Sequence, residues 1–156
     1  MNEFSFSLGK LSKGLVAAAG GLIKYVAVPL VIIYGAIALL ESAGGGEFAE
    51  SLGLNGLMTW VAVLGIAIAA LSFFRGFYPK GSRSRMIFGV ASMAAAGAWL
   101  WVLAKGGDIA LAGGDITLGI DYTGIVLLLL VAVALRGLYF VAEMVSCRKE
   151  WLAQLP

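Results

Sequence analysis

The sequence has no histidine and only one cysteine, Cys147, in 156 residues. Histidine is the commonest zinc or copper ligand, a usual haem ligand and the commonest acid–base catalyst, so sites of these kinds lack their main donor. A single cysteine allows neither an internal disulfide nor a cysteine-based metal site. The chain also has no phosphate-binding loop and no paired nucleophile and base. We therefore expect no cofactor and no enzymatic activity.

Charged residues are also scarce. They make up 13% of the chain, whereas hydrophobic residues make up 61%. Soluble domains average about 25% charged and about 45–50% apolar residues. This composition is typical of an integral membrane protein. The net charge of +2 gives no reason to expect nucleic acid as a partner.

Long apolar runs predict the architecture. A run of about 20 apolar residues crosses a hydrocarbon core of about 30 Å as a helix. The chain contains four such runs, at about 22–40, 57–74, 86–104 and 123–145. They predict an all-α integral membrane protein, a bundle of four transmembrane helices that form two hairpins over residues 22–145.

The two ends of the chain carry a different pattern. In residues 1–21, Phe4, Leu8, Leu11 and Leu15 recur at helical spacing between serines and lysines. This spacing predicts an amphipathic helix that lies in the cytoplasmic interface, joined to the first span by a hinge at Gly20-Gly21. Residues 146–156 are predicted to form a basic cytoplasmic tail.

The third predicted span is rich in glycine, alanine and serine between Gly89 and Ala98. Small residues let helix backbones approach closely in lipid, where packing drives association. We therefore expect this helix to be the most covered by protein. Trp99 and Trp101 near its far end are predicted to belong to an interfacial aromatic belt.

The loop after the third span contains a short repeat, in which Gly-Gly-Asp-Ile at 106–109 recurs at 113–116. Alternating apolar residues and the Gly113-Gly114 pair predict a β-hairpin in this second outer loop. Asp108, Asp115 and Asp121 are a weak candidate for a calcium site, because hard cations prefer carboxylate oxygens. A solvated turn is the alternative that we favour, so no metal is expected.

The distribution of charge predicts the orientation. In a four-span arrangement one side holds nine basic residues: Lys10, Lys13, Lys24, Arg75, Lys80, Arg83, Arg85, Arg148 and Lys149. The other side holds six acidic residues and a single lysine: Glu41, Glu47, Glu50, Asp108, Asp115, Asp121 and Lys105. The positive-inside rule then predicts a multi-pass protein of the cell (inner, cytoplasmic) membrane with both termini in the cytoplasm.

The two hairpins resemble each other. Arg75-Gly76-Phe77-Tyr78 at the end of the second span recurs as Arg136-Gly137-Leu138-Tyr139 in the fourth. Two hairpins that run in the same direction would form a parallel internal repeat. Chance recurrence in a chain with 22 glycines is the alternative.

Charges within the spans are the main candidate site. Arg136 and Glu143 lie on one face of the fourth span, and Lys24 and Arg75 fall near the same depth. Intramembrane charges are costly, and they mark functional or structural sites. One interpretation is a charged cluster that lines an ion or substrate path. The interpretation we favour is an ion pair that fixes helix register or binds a partner subunit.

The function predicted from these features is that of a structural or accessory subunit of a larger membrane assembly, with lipids and other membrane subunits, or itself, as partners. The alternative is a small homo-oligomeric channel or transporter that uses Arg136 and Glu143. A weaker hypothesis is a membrane-surface organiser. Five basic residues are predicted to contact lipid headgroups or a partner: Lys80, Arg83, Arg85, Arg148 and Lys149.

Overall fold

A computed structural model of the chain describes residues 3–4, 9–46, 50, 52–113 and 116–153. It confirms the predicted fold class. Four helical segments are long and apolar enough to cross a membrane, and a small antiparallel sheet lies between the third and the fourth. These features indicate a multi-pass membrane protein.

The helices are longer than the apolar runs that predict them. The first span combines α1 (Leu11–Leu22), a π-helical turn (Ile23–Ala27) and α2 (Val28–Ser42). The remaining spans are α3 (Leu54–Phe77), α4 (Arg83–Leu103) and α5 (Thr123–Ala153). The residues predicted as a tail from 146 onward therefore continue α5 as far as residue 153.

No hinge interrupts the first span at Gly20-Gly21, because both residues lie inside α1. The role of Gly21 is to allow close packing. A β-carbon placed on it would lie 3.1 Å from the Cα of Ala69 in α3. The predicted interfacial segment is thus, from Leu11 onward, part of a continuous helix that packs along α3.

The π-helical turn lies directly before Pro29. Proline has no N–H to donate to the carbonyl of Tyr25 four residues earlier, so the regular ladder is interrupted there. Gly65 of α3 approaches this same carbonyl. A β-carbon on Gly65 would overlap the Tyr25 oxygen and lie 2.7 Å from Cγ2 of Val26. The irregular turn and the glycine together bring the first and second spans into close contact.

The spans pack in chain order, with α1 on α3, α3 on α4 and α4 on α5. The core includes Ile33, Val61, Ile68, Ala96 and Trp99. The Trp99 indole donates a hydrogen bond of 3.2 Å to the Val61 carbonyl. Trp99 is therefore a core residue, and its prediction as part of an interfacial belt is wrong. Trp101, the other tryptophan of the predicted belt, is 44% exposed.

The third span is not covered more than the second. In the most apolar 18-residue windows of α3 and α4, the buried share is 28% in each, against 11% for the first span and 17% for α5. The reason is the row-like arrangement, because the two middle members of a row each have two neighbours.

The predicted β-hairpin is confirmed. Strand β1 (Asp108–Gly113) pairs antiparallel with β2 (Ile116–Asp121), with Asp108 opposite Asp121. Tyr122 holds the base of the hairpin, because its hydroxyl donates a hydrogen bond of 2.8 Å to the Ala104 carbonyl. Burial and the nearby Asp108 carboxylate raise the pKa of Tyr122. Gly114 of the predicted turn lies outside the described residues.

The proposed internal repeat stays a hypothesis. Gly76 and Gly137 occupy matching positions in the two motifs, but they contact different neighbours. A β-carbon on Gly76 would meet Ala17 of α1, and one on Gly137 would meet Met93 of α4.

The close approach at Gly65 gives a stability prediction. Gly65→Ala places a methyl group against the Tyr25 carbonyl, and overpacking of this kind costs about 1–3 kcal/mol. Gly20→Ala is the matched control, since Gly20 is also helical and has nothing within 4 Å of an added β-carbon. Thermal unfolding in detergent should show a lower midpoint for Gly65→Ala only. Equal midpoints for the two variants would contradict the close contact.

Candidate functional site

The loop between α3 and α4 meets the start of α1 and the last turns of α5 at one end of the bundle. The Lys10 amide donates a hydrogen bond of 2.9 Å to the Phe77 carbonyl, and Gly81 lies against the backbone of Cys147. Gly81 has φ of +83°, and a β-carbon on it would lie 2.5 Å from the Cys147 carbonyl oxygen. We call this region the basic end of the bundle.

Glu143 on α5 is the most buried charge at the basic end, with its side chain 7% exposed. The Arg85 guanidinium of α4 donates to both carboxylate oxygens, with Nε–Oε2 at 3.0 Å and Nη2–Oε1 at 3.4 Å. Lys80 adds a second cation at 3.7 Å. The sequence pointed to Arg136 as a companion of Glu143, but the structure brings Glu143 together with Arg85.

Arg85 also completes the end of α3. Its Nη1 donates hydrogen bonds to the Arg75 carbonyl, at 3.1 Å, and to the Tyr78 carbonyl, at 3.5 Å. The last carbonyls of a helix have no partner within the helix and carry partial negative charge, so a cation is favourable there. One guanidinium therefore ties together the end of α3, the first turn of α4 and a buried carboxylate of α5.

A second cluster anchors the start of the chain. The Glu3 carboxylate accepts hydrogen bonds from both terminal nitrogens of Arg148, at 2.7 and 2.9 Å, and from the Arg83 amide at 2.8 Å. The Ser84 hydroxyl donates to the Glu3 carbonyl. The Arg148 guanidinium lies 4.9 Å from the centre of the buried Trp151 ring. Glu3 thus clamps the first turn of α4 to the last turns of α5.

The hydrogen bonds from Arg148 keep the pKa of Glu3 below its usual 4.5, with the Arg83 amide adding to the effect and partial burial opposing it. A lowered pKa in the folded state means that the contact stabilises the protein above pH 4.5. This stabilisation is lost as the pH falls through the lower, folded-state pKa.

Lys24, Arg75 and Arg136 form a different group. They line one cavity of about 240 Å³ that lies between α1, the π-helical turn, α3, α4 and α5. Arg136 and Lys24 are exposed and Arg75 is half-buried. We call this cavity, together with an adjoining apolar cavity described below, the cationic cleft.

The cationic cleft has little internal charge compensation. Among the described residues, none of the three cations forms an ion pair within 4.0 Å with an acidic side chain. Arg75 lies 5.5 Å from the Phe140 ring centre, and Lys24 lies 5.2 Å from that of Tyr25. The cleft is therefore a site of net positive charge.

A second cavity of about 230 Å³ adjoins the first and shares Lys24, Tyr25, Met93 and Arg136 with it. Its other walls are apolar and consist of Ala96, Leu100, Leu129, Ala132 and Val133. Glu143 lines neither cavity. The predicted charge cluster is thus divided, with three cations in the cleft and the carboxylate in a separate ion pair.

The residues predicted to contact lipid headgroups or a partner also fall into two groups. Arg85 and Arg148 form the internal ion pairs described above. The side chains of Lys80 and Arg83 are each 67% exposed, and Lys149 is also exposed. Only these last three present most of their charge to the surroundings.

The weak metal candidate gains no support from the part of the chain that is described. No group of three or more metal-ligating side chains occurs there. The Asp121 carboxylate accepts a hydrogen bond of 2.9 Å from the Thr123 amide. This bond caps the start of α5 and lowers the pKa of Asp121. Asp115 lies outside the described residues.

Comparisons with family models, with curated proteins and with solved structures gave no match to this chain. No relative's activity or partner therefore bears on the basic end or on the cationic cleft.

The Arg85–Glu143 pair gives a second stability prediction. Arg85→Gln leaves the buried carboxylate with the exposed Lys80 as its one remaining salt-bridge partner within 4.0 Å among the described residues. Breaking a buried pair costs about 3–5 kcal/mol. Arg83→Gln removes the same charge from an exposed position, where the cost is about 1 kcal/mol or less. Denaturant unfolding in detergent measures both. A loss for Arg85→Gln as small as that for Arg83→Gln would show that the pair does not hold the basic end.

The Glu3 contact gives a pH prediction. The carbon-13 shift of the Glu3 carboxyl, followed by NMR in micelles, should titrate with a midpoint below 4.5. In Arg148→Gln the midpoint should rise towards 4.5, because the strongest hydrogen-bond donor is gone. A midpoint that does not change in this variant would contradict the clamp.

Proposed function

We propose that the chain is a structural or accessory integral-membrane subunit of a larger membrane protein assembly. The observation that carries this proposal is an apolar surface groove between α4 and α5, with a cavity volume of about 310 Å³. Its walls are Val90, Met93, Ala94, Gly97, Leu130, Val133, Ala134, Gly137, Leu138 and Val141. No charged side chain lines this groove.

The groove has the shape that helix packing in lipid requires. Ala94 and Gly97 on α4, and Ala134 and Gly137 on α5, are small and leave room for the side chains of another helix. A β-carbon on Gly97 would meet only Leu130 and Val133, at 3.6 and 3.9 Å. Since close packing of small residues drives association in membranes, the groove suits a transmembrane helix of a partner.

The charges support the same proposal over the channel alternative. A path that used Arg136 and Glu143 would have both side chains on one water-filled surface. Glu143 is instead 7% exposed and bound to Arg85, and it is absent from both cavities of the cationic cleft. The basic end therefore resembles a structural connection more than a conduction path.

We further propose that the protein lies in the cell membrane with both termini in the cytoplasm. Support comes from the positive-inside rule together with the position of the basic residues. Lys10, Lys80, Arg85 and Arg148 come together at the basic end, whereas Lys105 lies at the opposite end, where its amine donates to the Leu52 carbonyl. The proposed partners are membrane lipids and other membrane subunits, with no role for nucleic acid.

The mass of the particle extracted in mild detergent tests this proposal. We expect other polypeptides in a fixed ratio, and we expect Gly97→Leu to remove them because leucine fills the groove. Gly35→Leu in α2 is the control, since Gly35 has nothing within 4 Å of an added β-carbon. Loss in both variants, or in neither, would contradict the groove as the contact. A particle that contains this chain alone would contradict the accessory role, and a homo-oligomer of defined size would favour the channel.

A further inference from the structure

We propose that the cationic cleft binds one anionic phospholipid. In this arrangement the lipid phosphate lies between Lys24, Arg75 and Arg136, and one acyl chain lies along α4 and α5. The site shares Met93 and Val133 with the apolar groove, but its cations and its other walls are not part of that groove. The inference does not depend on the proposed function.

The charge of the cleft requires an anion. Lys24, Arg75 and Arg136 share one cavity and form no close ion pair with an acidic side chain of the described residues. Uncompensated cations at membrane depth are costly, and they are normally paired or reach the headgroup region. Guanidinium groups bind phosphate oxygens through charge-assisted and often bidentate hydrogen bonds. A phosphate in this position would satisfy all three residues.

The two halves of the cleft follow one another as the headgroup and the acyl chain of a lipid do, with the cations nearer the basic end and the apolar walls farther from it. The polar half begins at Val16 and Ala17 of α1, and Ala17 lies near Gly76 at the basic end. The apolar half extends away from that end, to Leu100 on α4 and Leu129 on α5. The seven helical steps from Met93 to Leu100 cover about 10 Å of helix, enough for roughly half of an acyl chain.

The row-like packing gives the lipid a route into the cleft. The first span and α5 occupy the two ends of the row, and neither is the main packing partner of the other. Lys24 and Arg136 stand on these two elements and are both exposed. A lipid can therefore enter sideways from the bilayer without opening the bundle.

The apolar half argues against a small inorganic anion as the occupant. Ala96, Leu100, Leu129, Ala132 and Val133 offer no hydrogen-bonding side chain to water or to a free ion. An acyl chain enters the cleft from the bilayer and not from water, so what it gains there is mainly packing contacts with these side chains. The chain portion thus fits the shape, and the phosphate provides the attraction.

Native mass spectrometry of the delipidated full chain, titrated with defined lipids, tests the proposal. Phosphatidylglycerol should bind with one molecule retained per chain. Phosphatidylcholine, which has the same phosphate but no net charge, should bind about tenfold more weakly, a difference of about 1.4 kcal/mol. Equal retention of the two lipids would overturn the proposal. Inorganic phosphate that displaces phosphatidylglycerol at equal concentration would identify a free-anion site instead.

A matched pair of triple variants separates the cleft from general surface charge. Lys24→Gln with Arg75→Gln and Arg136→Gln should lower phosphatidylglycerol binding about tenfold or more. Lys10→Gln with Arg83→Gln and Lys149→Gln removes the same charge from outside the cleft and should leave binding within about twofold. Equal losses in the two triple variants would show attraction to the surface only and would overturn the site.

Two further variants keep the test valid if the first triple variant fails to fold. Arg136→Gln alone changes an exposed residue with no ion pair among those described, so the fold should persist while binding weakens. Ala132→Trp obstructs the apolar half and leaves all three cations in place. It should also weaken lipid binding, and full binding by both variants would overturn the proposal.

Discussion

The salt bridge between Arg85 and Glu143 is the interaction on which the basic end depends. The carboxylate is 7% exposed, so it requires a cation, and Arg85 can reach it only if α4 and α5 are in register. The same guanidinium donates to the Arg75 and Tyr78 carbonyls at the end of α3. Replacing a buried pair by apolar residues is often neutral, but leaving one partner unpaired costs about 3–5 kcal/mol, so a register that separates Arg85 from Glu143 is disfavoured. Three helices are thereby fixed at one level.

This pairing also explains why the cationic cleft remains positive. Of the acidic residues at the basic end, Glu143 is bound by Arg85 and Glu3 by Arg148. Neither carboxylate lies within 4.0 Å of the charged nitrogens of Lys24, Arg75 or Arg136. The row-like packing of the spans then leaves Lys24 and Arg136 exposed. The division of charge into paired and unpaired groups follows from which helices are neighbours.

The sequence predicted the four spans and the hairpin because both depend on local patterns, apolar length and alternation. It predicted an interfacial helix before residue 22, whereas the structure has one helical segment from Leu11 onward. The packing of the α1 glycines on α3 is a tertiary contact that the local pattern does not show. The sequence predicted Lys24, Arg75, Arg136 and Glu143 as one charge cluster, whereas the structure places the three cations in the cleft and Glu143 in a separate ion pair. It could not pair Glu143 with Arg85, since 58 residues separate them and only tertiary packing joins them. Burial of Trp99 was also a tertiary property.

The central claim is that Glu143 is coupled to Arg85 and not to Arg136, and a pair of double-mutant cycles measures this most directly. Unfolding free energies of Arg85→Gln, Arg136→Gln, Glu143→Gln and the two double variants give both coupling energies. We expect about 1–3 kcal/mol for Arg85 with Glu143 and less than about 0.5 kcal/mol for Arg136 with Glu143. The reverse order would contradict both the structural role of the pair and the unpaired state of Arg136 in the cationic cleft.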